Sequence, residues 1–261
     1  MAKKSSADNP PIIIANWKMN LFYPETHALI KALVKETKPM GNKAEIVLCP
    51  AFIYLKSAQE LLANSNLRLG AQDVFWTTKG NYTSQISAEM LMELDCQYVI
   101  IGHSERRQYV KEDYEMIDRK TVAAVRHKLT PIVCVGETMA ERQQGVEEVV
   151  IEDQVKKALR FIDPIFAHEK LIICYEPVWS ISPGRPCQPD EAKEMAMVIR
   201  QSLINLYPLK VVENNFRIIY GGSVDENNVK DYVDMENLHG VLVGAASLTA
   251  EKFLNLIRKL L

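Results

Sequence analysis

Two stretches, Ile100-Ile101-Gly102-His103-Ser104-Glu105-Arg106-Arg107 and Tyr175-Glu176-Pro177-Val178-Trp179, decide how this chain reads. In each, an ionisable side chain directly follows a run with the look of a buried strand. His103 follows Tyr98-Val99-Ile100-Ile101, and Glu176 follows Leu171-Ile172-Ile173-Cys174-Tyr175. A third such run, Pro11-Ile12-Ile13-Ile14-Ala15, ends in Asn16-Trp17-Lys18 and contributes a cation. Strand ends that share one mouth are where α/β proteins keep their chemistry. A carboxylate, an imidazole and a fixed positive charge at one end of one sheet point to an enzyme.

Working outward, short β-branched runs recur near Ile12–Ala15, Glu45–Cys49, Leu67–Ala71, Tyr98–Ile101, Pro131–Val135, Leu171–Tyr175, Arg217–Tyr220 and Val241–Val243. They show little polar alternation, as expected of strands covered on both faces. Amphipathic helical segments lie between them. Ser87 is placed to cap one, Pro189-Asp190-Glu191 opens another with proline and acids in the first turn, and Ala250–Leu261 forms the last. Strand and helix in alternation imply parallel strands joined by helical crossovers. About eight such units favour a closed (β/α)8 barrel over an open doubly wound sheet. No Gly/Ser-rich or Pro-rich tract divides the 261 residues, so one α/β domain over 1–261 is expected, with residues 1–11 a flexible N-terminal extension.

Nearly half the residues are apolar and the formal net charge is −2. There is enough to build a core and no basic footprint for nucleic acid. An anionic ligand must therefore be held by local groups. The five cysteines are scattered and never form C-x-x-C, and Cys49, Cys134 and Cys174 sit inside apolar runs. That usage fits reduced core thiols in a cytoplasmic protein. The polar start of the chain does not read as a secretory signal, and no run approaches the length of a membrane span.

Each candidate has a plainer alternative. Glu176 reads as a base whose apolar neighbours Pro177, Val178, Trp179 and Ile181 desolvate it, or as half of a structural ion pair. His103 opens a segment suited to a helix N-terminus, where the macrodipole favours a neutral, hydrogen-bonding imidazole; a lone histidine at a strand end is more often structural, and the Ser-Glu-Arg-Arg context shifts that balance. Gly221-Gly222-Ser223 and Gly244-Ala245-Ala246-Ser247 follow the last two strands, where backbone N–H groups can converge on a phosphate, although ordinary turns also use glycine. His103-Ser104-Glu105 matches half of a zinc deaminase motif, but its partner fails because Pro186-Cys187 is followed by Asp190 where a second cysteine is needed. Metal and nucleotide cofactors are set aside, and no cofactor is expected.

Taken together, Asn16-Trp17-Lys18-Met19-Asn20, the block from Ile100 to Arg107, Tyr175 to Trp179, Tyr220-Gly221-Gly222-Ser223 and Leu242-Val243-Gly244 closely resemble the triosephosphate isomerase family, in order and spacing, from about Ile12 to the C-terminus. The resemblance implies cofactor-free interconversion of dihydroxyacetone phosphate and D-glyceraldehyde 3-phosphate through an enediolate, a step of glycolysis and gluconeogenesis. It implies that Glu176 moves the proton between carbons and that neutral His103 polarises the carbonyl. Lys18 would offset phosphate and intermediate charge, Asn16 would help place the oxygens, and Glu105 would stand beside Lys18. Ile181 and Leu242 would clamp Glu176. Ser182, Ser223, Gly244 and Ala245 would offer N–H groups to the phosphate, and Trp179, Tyr175 and Glu137 would sit at the hinge of a lid. Thr83, in the loop holding Phe75, Trp76 and Tyr82, would reach a neighbouring subunit's site and so imply a homodimer; those aromatics could instead pack on their own barrel.

The chain departs from the family in three places. The lid reads Ser182-Pro183-Gly184-Arg185-Pro186-Cys187, Ala245 stands where glycine is usual, and Leu21-Phe22-Tyr23-Pro24 replaces a small polar stretch. The lid prolines are expected to lower the entropy lost on closure. Two other readings share part of the pattern. Another phosphate-binding barrel enzyme has no need of His103, Lys18 and Glu176 together, and a non-catalytic relative is expected to lack one of them.

Overall fold

The computed structural model describes residues 10–163, 170–181, 187–233, 235 and 237–261. Of the expectations above, residues 1–9 of the N-terminal extension and Ser182 to Pro186 of the lid lie outside the described residues.

Eight parallel strands close into a barrel in chain order: β1 (Ile12–Asn16), β2 (Glu45–Cys49), β3 (Arg68–Ala71), β4 (Tyr98–Ile101), β5 (Thr130–Val135), β6 (Leu171–Tyr175), β7 (Phe216–Tyr220) and β8 (Gly240–Val243). β8 returns to pair with β1, with Ile12 beside Gly240 and Ala15 beside Val243. The helices between them are α1 (Tyr23–Thr37), α2 (Leu55–Leu62), α3 (Ala88–Met92), α4 (Ser104–Tyr109), α5 (Tyr114–Arg126), α6 (Met139–Gln143), α7 (Glu147–Ala158), α8 (Pro189–Leu206), α9 (Leu209–Asn215) and α10 (Val229–Val233), and α11 (Ala250–Lys259) follows β8. Ser87 caps α3 as expected, its Oγ accepting from the Met90 N–H at 3.3 Å. Pro189 opens α8, where Glu191 reaches back to the Gln188 N–H at 2.8 Å. Among the described residues no helix is long and apolar enough to cross a membrane.

Side chains on a strand alternate between faces, so the barrel has two cores. Ile12, Ile14, Val47, Ile100, Cys134 and Cys174 belong to the inner one. Ile13, Ala15, Leu48, Val99, Val133 and Ile173 pack outward against the helices. This alternation positions the site. Continuing the inward register by two residues leads from Ile14 to Asn16, from Cys174 to Glu176, from Ile219 to Gly221 and from Leu242 to Gly244. The functional positions are the next inward layer, at the end where the packed interior opens.

Candidate active site

At the C-terminal ends of the strands a cavity of about 520 Å³ is lined by Asn16, Lys18, His103, Glu176, Ser223 and Gly244, with Ile181, Leu242 and Ala245 also on its wall. The sequence-predicted groups thus meet at one mouth.

Gly102 ends β4 with φ +71°, a left-handed conformation open to glycine at little cost. This turn takes the chain out of the strand register and makes His103 the N-cap of α4. Its Nδ1 accepts the Glu105 N–H at 3.2 Å. A backbone N–H can only donate, so Nδ1 is unprotonated and the ring carries its proton on Nε2. That Nε2 lies 2.8 Å from Glu176 Oε1. In a neutral ring this hydrogen bond leaves Nε2 as the donor that faces Glu176.

Glu176 is fully buried. Ser104 supplies two more donors, its N–H to Oε2 and its Oγ–H to Oε1, both at 2.9 Å. Burial pushes the carboxyl pKa up, but beside a protonated His103 the charge and hydrogen bond of that ring, the Ser104 N–H and the Arg107 guanidinium together hold it below its ordinary value. The expected desolvation is present and is the largest single effect on this carboxyl, but in this pose the groups that favour the anion together outweigh it. In this pose both oxygens are satisfied by donors and the carboxylate is a weak base. Ile181 and Leu242 share its cavity.

Lys18 takes φ +51°, an uncommon conformation for a residue with a Cβ. Two side chains hold it there. Asn16 Oδ1 accepts the Lys18 N–H at 3.1 Å, and Gln72 Nε2 donates to the Lys18 and Cys49 carbonyls, each at 2.9 Å. The ammonium reaches Glu105 at 2.7 Å, the neighbour expected for it, and lies beside Gly244.

The phosphate-side loops are tightly built. A Cβ at Gly222 would come within 2.1 Å of the Tyr220 hydroxyl and 2.7 Å of Ser180 Oγ. Ser223 Oγ donates to the Ser180 carbonyl at 2.8 Å, tying the loop after β7 to the segment after Glu176. Gly244 leads into a single 3-10 turn, Ala245–Ser247, that leaves Ala245 exposed to the mouth.

At the expected hinge, buried Glu137 accepts through one oxygen from Trp179 Nε1 at 2.7 Å and from the Tyr175 hydroxyl and Arg142 at 3.1 Å. Arg142 also stacks 5.1 Å from the Trp179 ring centre and pairs with Glu191 at 3.1 Å. Thr83 lies in an exposed run, residues 78–85, and is not among the residues that line this mouth. Nearby, Phe75 packs on Trp76 and Tyr82 at 4.0 and 4.6 Å, and Arg119 covers Trp76. Ser182 lies outside the described residues.

Sequence reasoning missed Ser104, Gln72 and Arg142. Ser104 had a signal, as the first helical residue after His103; the other two become partners only once the barrel closes.

The family model described as triosephosphate isomerase matches residues 11–260. A triosephosphate isomerase of Dictyoglomus turgidum is 44% identical over 247 residues, covering 95% of this chain and 98% of that protein. One from Dictyoglomus thermophilum is 42% identical with the same coverage, and one from Clostridium tetani is 42% identical over 93% of each chain. With the barrel, the mouth and these likenesses in agreement, the chain belongs to the triosephosphate isomerase family.

Proposed function

We propose that the mouth of this barrel interconverts dihydroxyacetone phosphate and D-glyceraldehyde 3-phosphate through an enediolate, with Glu176 as base and His103 as electrophile. The chain is an isomerase of triose phosphates; the residue roles are our reading. The observation that carries it is the His103–Glu176 pair at 2.8 Å, with the ring's proton assigned to Nε2 by the Glu105 N–H.

Moving a proton between carbons flanking a carbonyl requires a base for the C–H and a donor for the oxygen. It requires neither electron transfer nor a Lewis acid, so the reading includes no cofactor. Glu176 leaves the Ser104 donors, takes a proton from one carbon and returns it to the other. His103 Nε2–H stabilises the oxyanion that develops and passes protons between the two oxygens. With Asn16 Oδ1 held by Lys18, the Asn16 amide nitrogen serves as a donor to the substrate oxygens. Lys18 offsets the phosphate and enediolate charges, oriented by Glu105. Backbone N–H groups of Ser223, Gly244, Ala245 and Ser182 hold the phosphate, and a lid hinged near Glu137, Tyr175 and Trp179 excludes water.

The reading extends to a single barrel domain over 1–261, supported by strand closure and by the family match over 11–260. It also includes a homodimer, supported by large apolar side chains left exposed at Met19, Phe22, Ile53 and Tyr82, on or beside the loops after the first three strands. A cytoplasmic location is supported by five free, buried cysteines, which suit a reducing compartment. The test is an assay of the purified protein with dihydroxyacetone phosphate. Isomerisation is expected, and Glu176→Gln should lower kcat by at least about 10²–10⁴-fold. No turnover in the wild type, or near-normal turnover in the variant, overturns the reading.

A further inference from the structure

Gln154 on α7 is buried and touches no group of the site described above. Its side-chain amide closes on both polar groups of one residue just past β5. The Gly136 N–H donates to Gln154 Oε1 at 2.7 Å, and Gln154 Nε2 donates to the Gly136 carbonyl at 3.1 Å. An amide that meets the N–H and C=O of the same residue acts as a strand neighbour would, fixing both position and rotation of the backbone.

Gly136 is also where the main chain of Glu176 comes closest. A Cβ there would stand 1.8 Å from the Glu176 carbonyl oxygen and 2.5 Å from its carbon. On either side, the Glu176 N–H donates to the Val135 carbonyl at 2.7 Å and the Val178 N–H to the Glu137 carbonyl at 3.1 Å. The backbone that carries the base therefore rests on residues 135–137, and Gln154 holds the middle of that support. Arg107 also approaches the Gly136 carbonyl, but at a long 3.5 Å, leaving Gln154 as its principal donor.

The geometry points to Gln154 as a positioning residue for the general base, acting through Gly136 on where Glu176 stands. This rests on the proposed role of Glu176. A misplacement of about 1 Å can cost on the order of 10²-fold in rate, and a loss of alignment alone falls on kcat and leaves KM in place.

Gln154→Met keeps the length of the side chain and removes both hydrogen bonds. Gln154→Glu keeps the acceptor and loses the donor, and decides by the same criteria should the first variant not fold. Each is made in the wild type and in Glu176→Asp, whose shorter side chain already misplaces the carboxylate. In the wild type Gln154→Met should lower kcat about tenfold or more with KM within about twofold, and Gln154→Glu should lower it less. In Glu176→Asp the same change should cost less than about twofold, because both changes damage one alignment and do not add. Equal losses in the two backgrounds, an unchanged kcat, or a loss carried by KM alone overturn the assignment. Near-wild-type turnover of Glu176→Gln, which has no carboxylate, would remove Glu176 as the base, and so overturns the parent reading and this one together, by a result separate from the first three.

Discussion

At the scale of single residues the deciding contest is over the two oxygens of Glu176. Burial favours the neutral acid; the charge and hydrogen bond of a protonated His103, the Ser104 N–H and the Arg107 guanidinium favour the anion, and the anion wins. A carboxyl with a folded pKa below its unfolded value of about 4.3 adds stability that is fully present above that pH and is lost as pH falls through the depressed value. The gap in unfolding free energy between wild type and Glu176→Gln should therefore narrow as pH falls below about 4.3, and a gap constant across that range would refute the assigned direction. Ser104→Ala removes one donor and keeps the Ser104 N–H, so the acid limb of kcat/KM should move to higher pH while the protein stays folded. An unmoved limb would show that the hydroxyl does not set this proton affinity. Lys18→Ala is expected to raise KM and lower kcat together, because in the proposed reading one cation faces both the phosphate and the enediolate; an unchanged KM in steady-state assays would take Lys18 off the phosphate. Glu176, His103 and Lys18 were legible in sequence because each follows an apolar run. Ser104 as a partner of Glu176 was not. The two are 72 positions apart, and only the pairing of β4 with β5 and of β5 with β6 brings them together.

Among the elements, the strands were legible almost to their ends, since residues buried on both faces leave unbroken apolar runs. Glu45–Cys49, Tyr98–Ile101 and Leu171–Tyr175 lie where expected, and the others differ by one residue at an end. Asn16, Thr130 and Phe216 extend their strands because barrel closure pairs them with neighbours that a single run cannot reveal. The inward register also explains why small residues crowd the mouth. At Gly221 a Cβ would meet Cys174 Sγ at 2.5 Å, and at Gly222 the Tyr220 hydroxyl at 2.1 Å, so these glycines are demanded by packing as well as by any ligand. Gly222→Ala should force the loop after β7 off its support at Ser180, costing about 1–3 kcal/mol of stability through overpacking. It should also weaken competitive inhibition by inorganic phosphate. Unchanged phosphate inhibition in a folded Gly222→Ala protein would show that this loop is not part of the anion site.

On the scale of the whole molecule, large apolar side chains stand exposed beside the mouth. Met19 is 97% exposed, Ile53 80% and Phe22 77%, following β1 and β2, and Tyr82 lies in the exposed run with Thr83. Single exposed apolar residues are ordinary on a protein surface, but several large ones beside adjacent strand ends are what the proposed homodimer would cover. A symmetric pair of chains would bury this face on both subunits at once, since a two-fold interface uses the same patch twice. The loop from Phe75 to Tyr82 is braced by its own ring contacts and by Arg119, so it offers a preorganised tip and loses little entropy on docking. Sedimentation at micromolar concentration should therefore give a dimer, and Ile53→Glu together with Phe22→Glu should shift it toward monomer by placing charges in a dry contact. Activity should fall with dissociation if Thr83 of one subunit reaches the active site of the other. A monomeric double variant with full activity would separate assembly from catalysis and remove Thr83 from the working site.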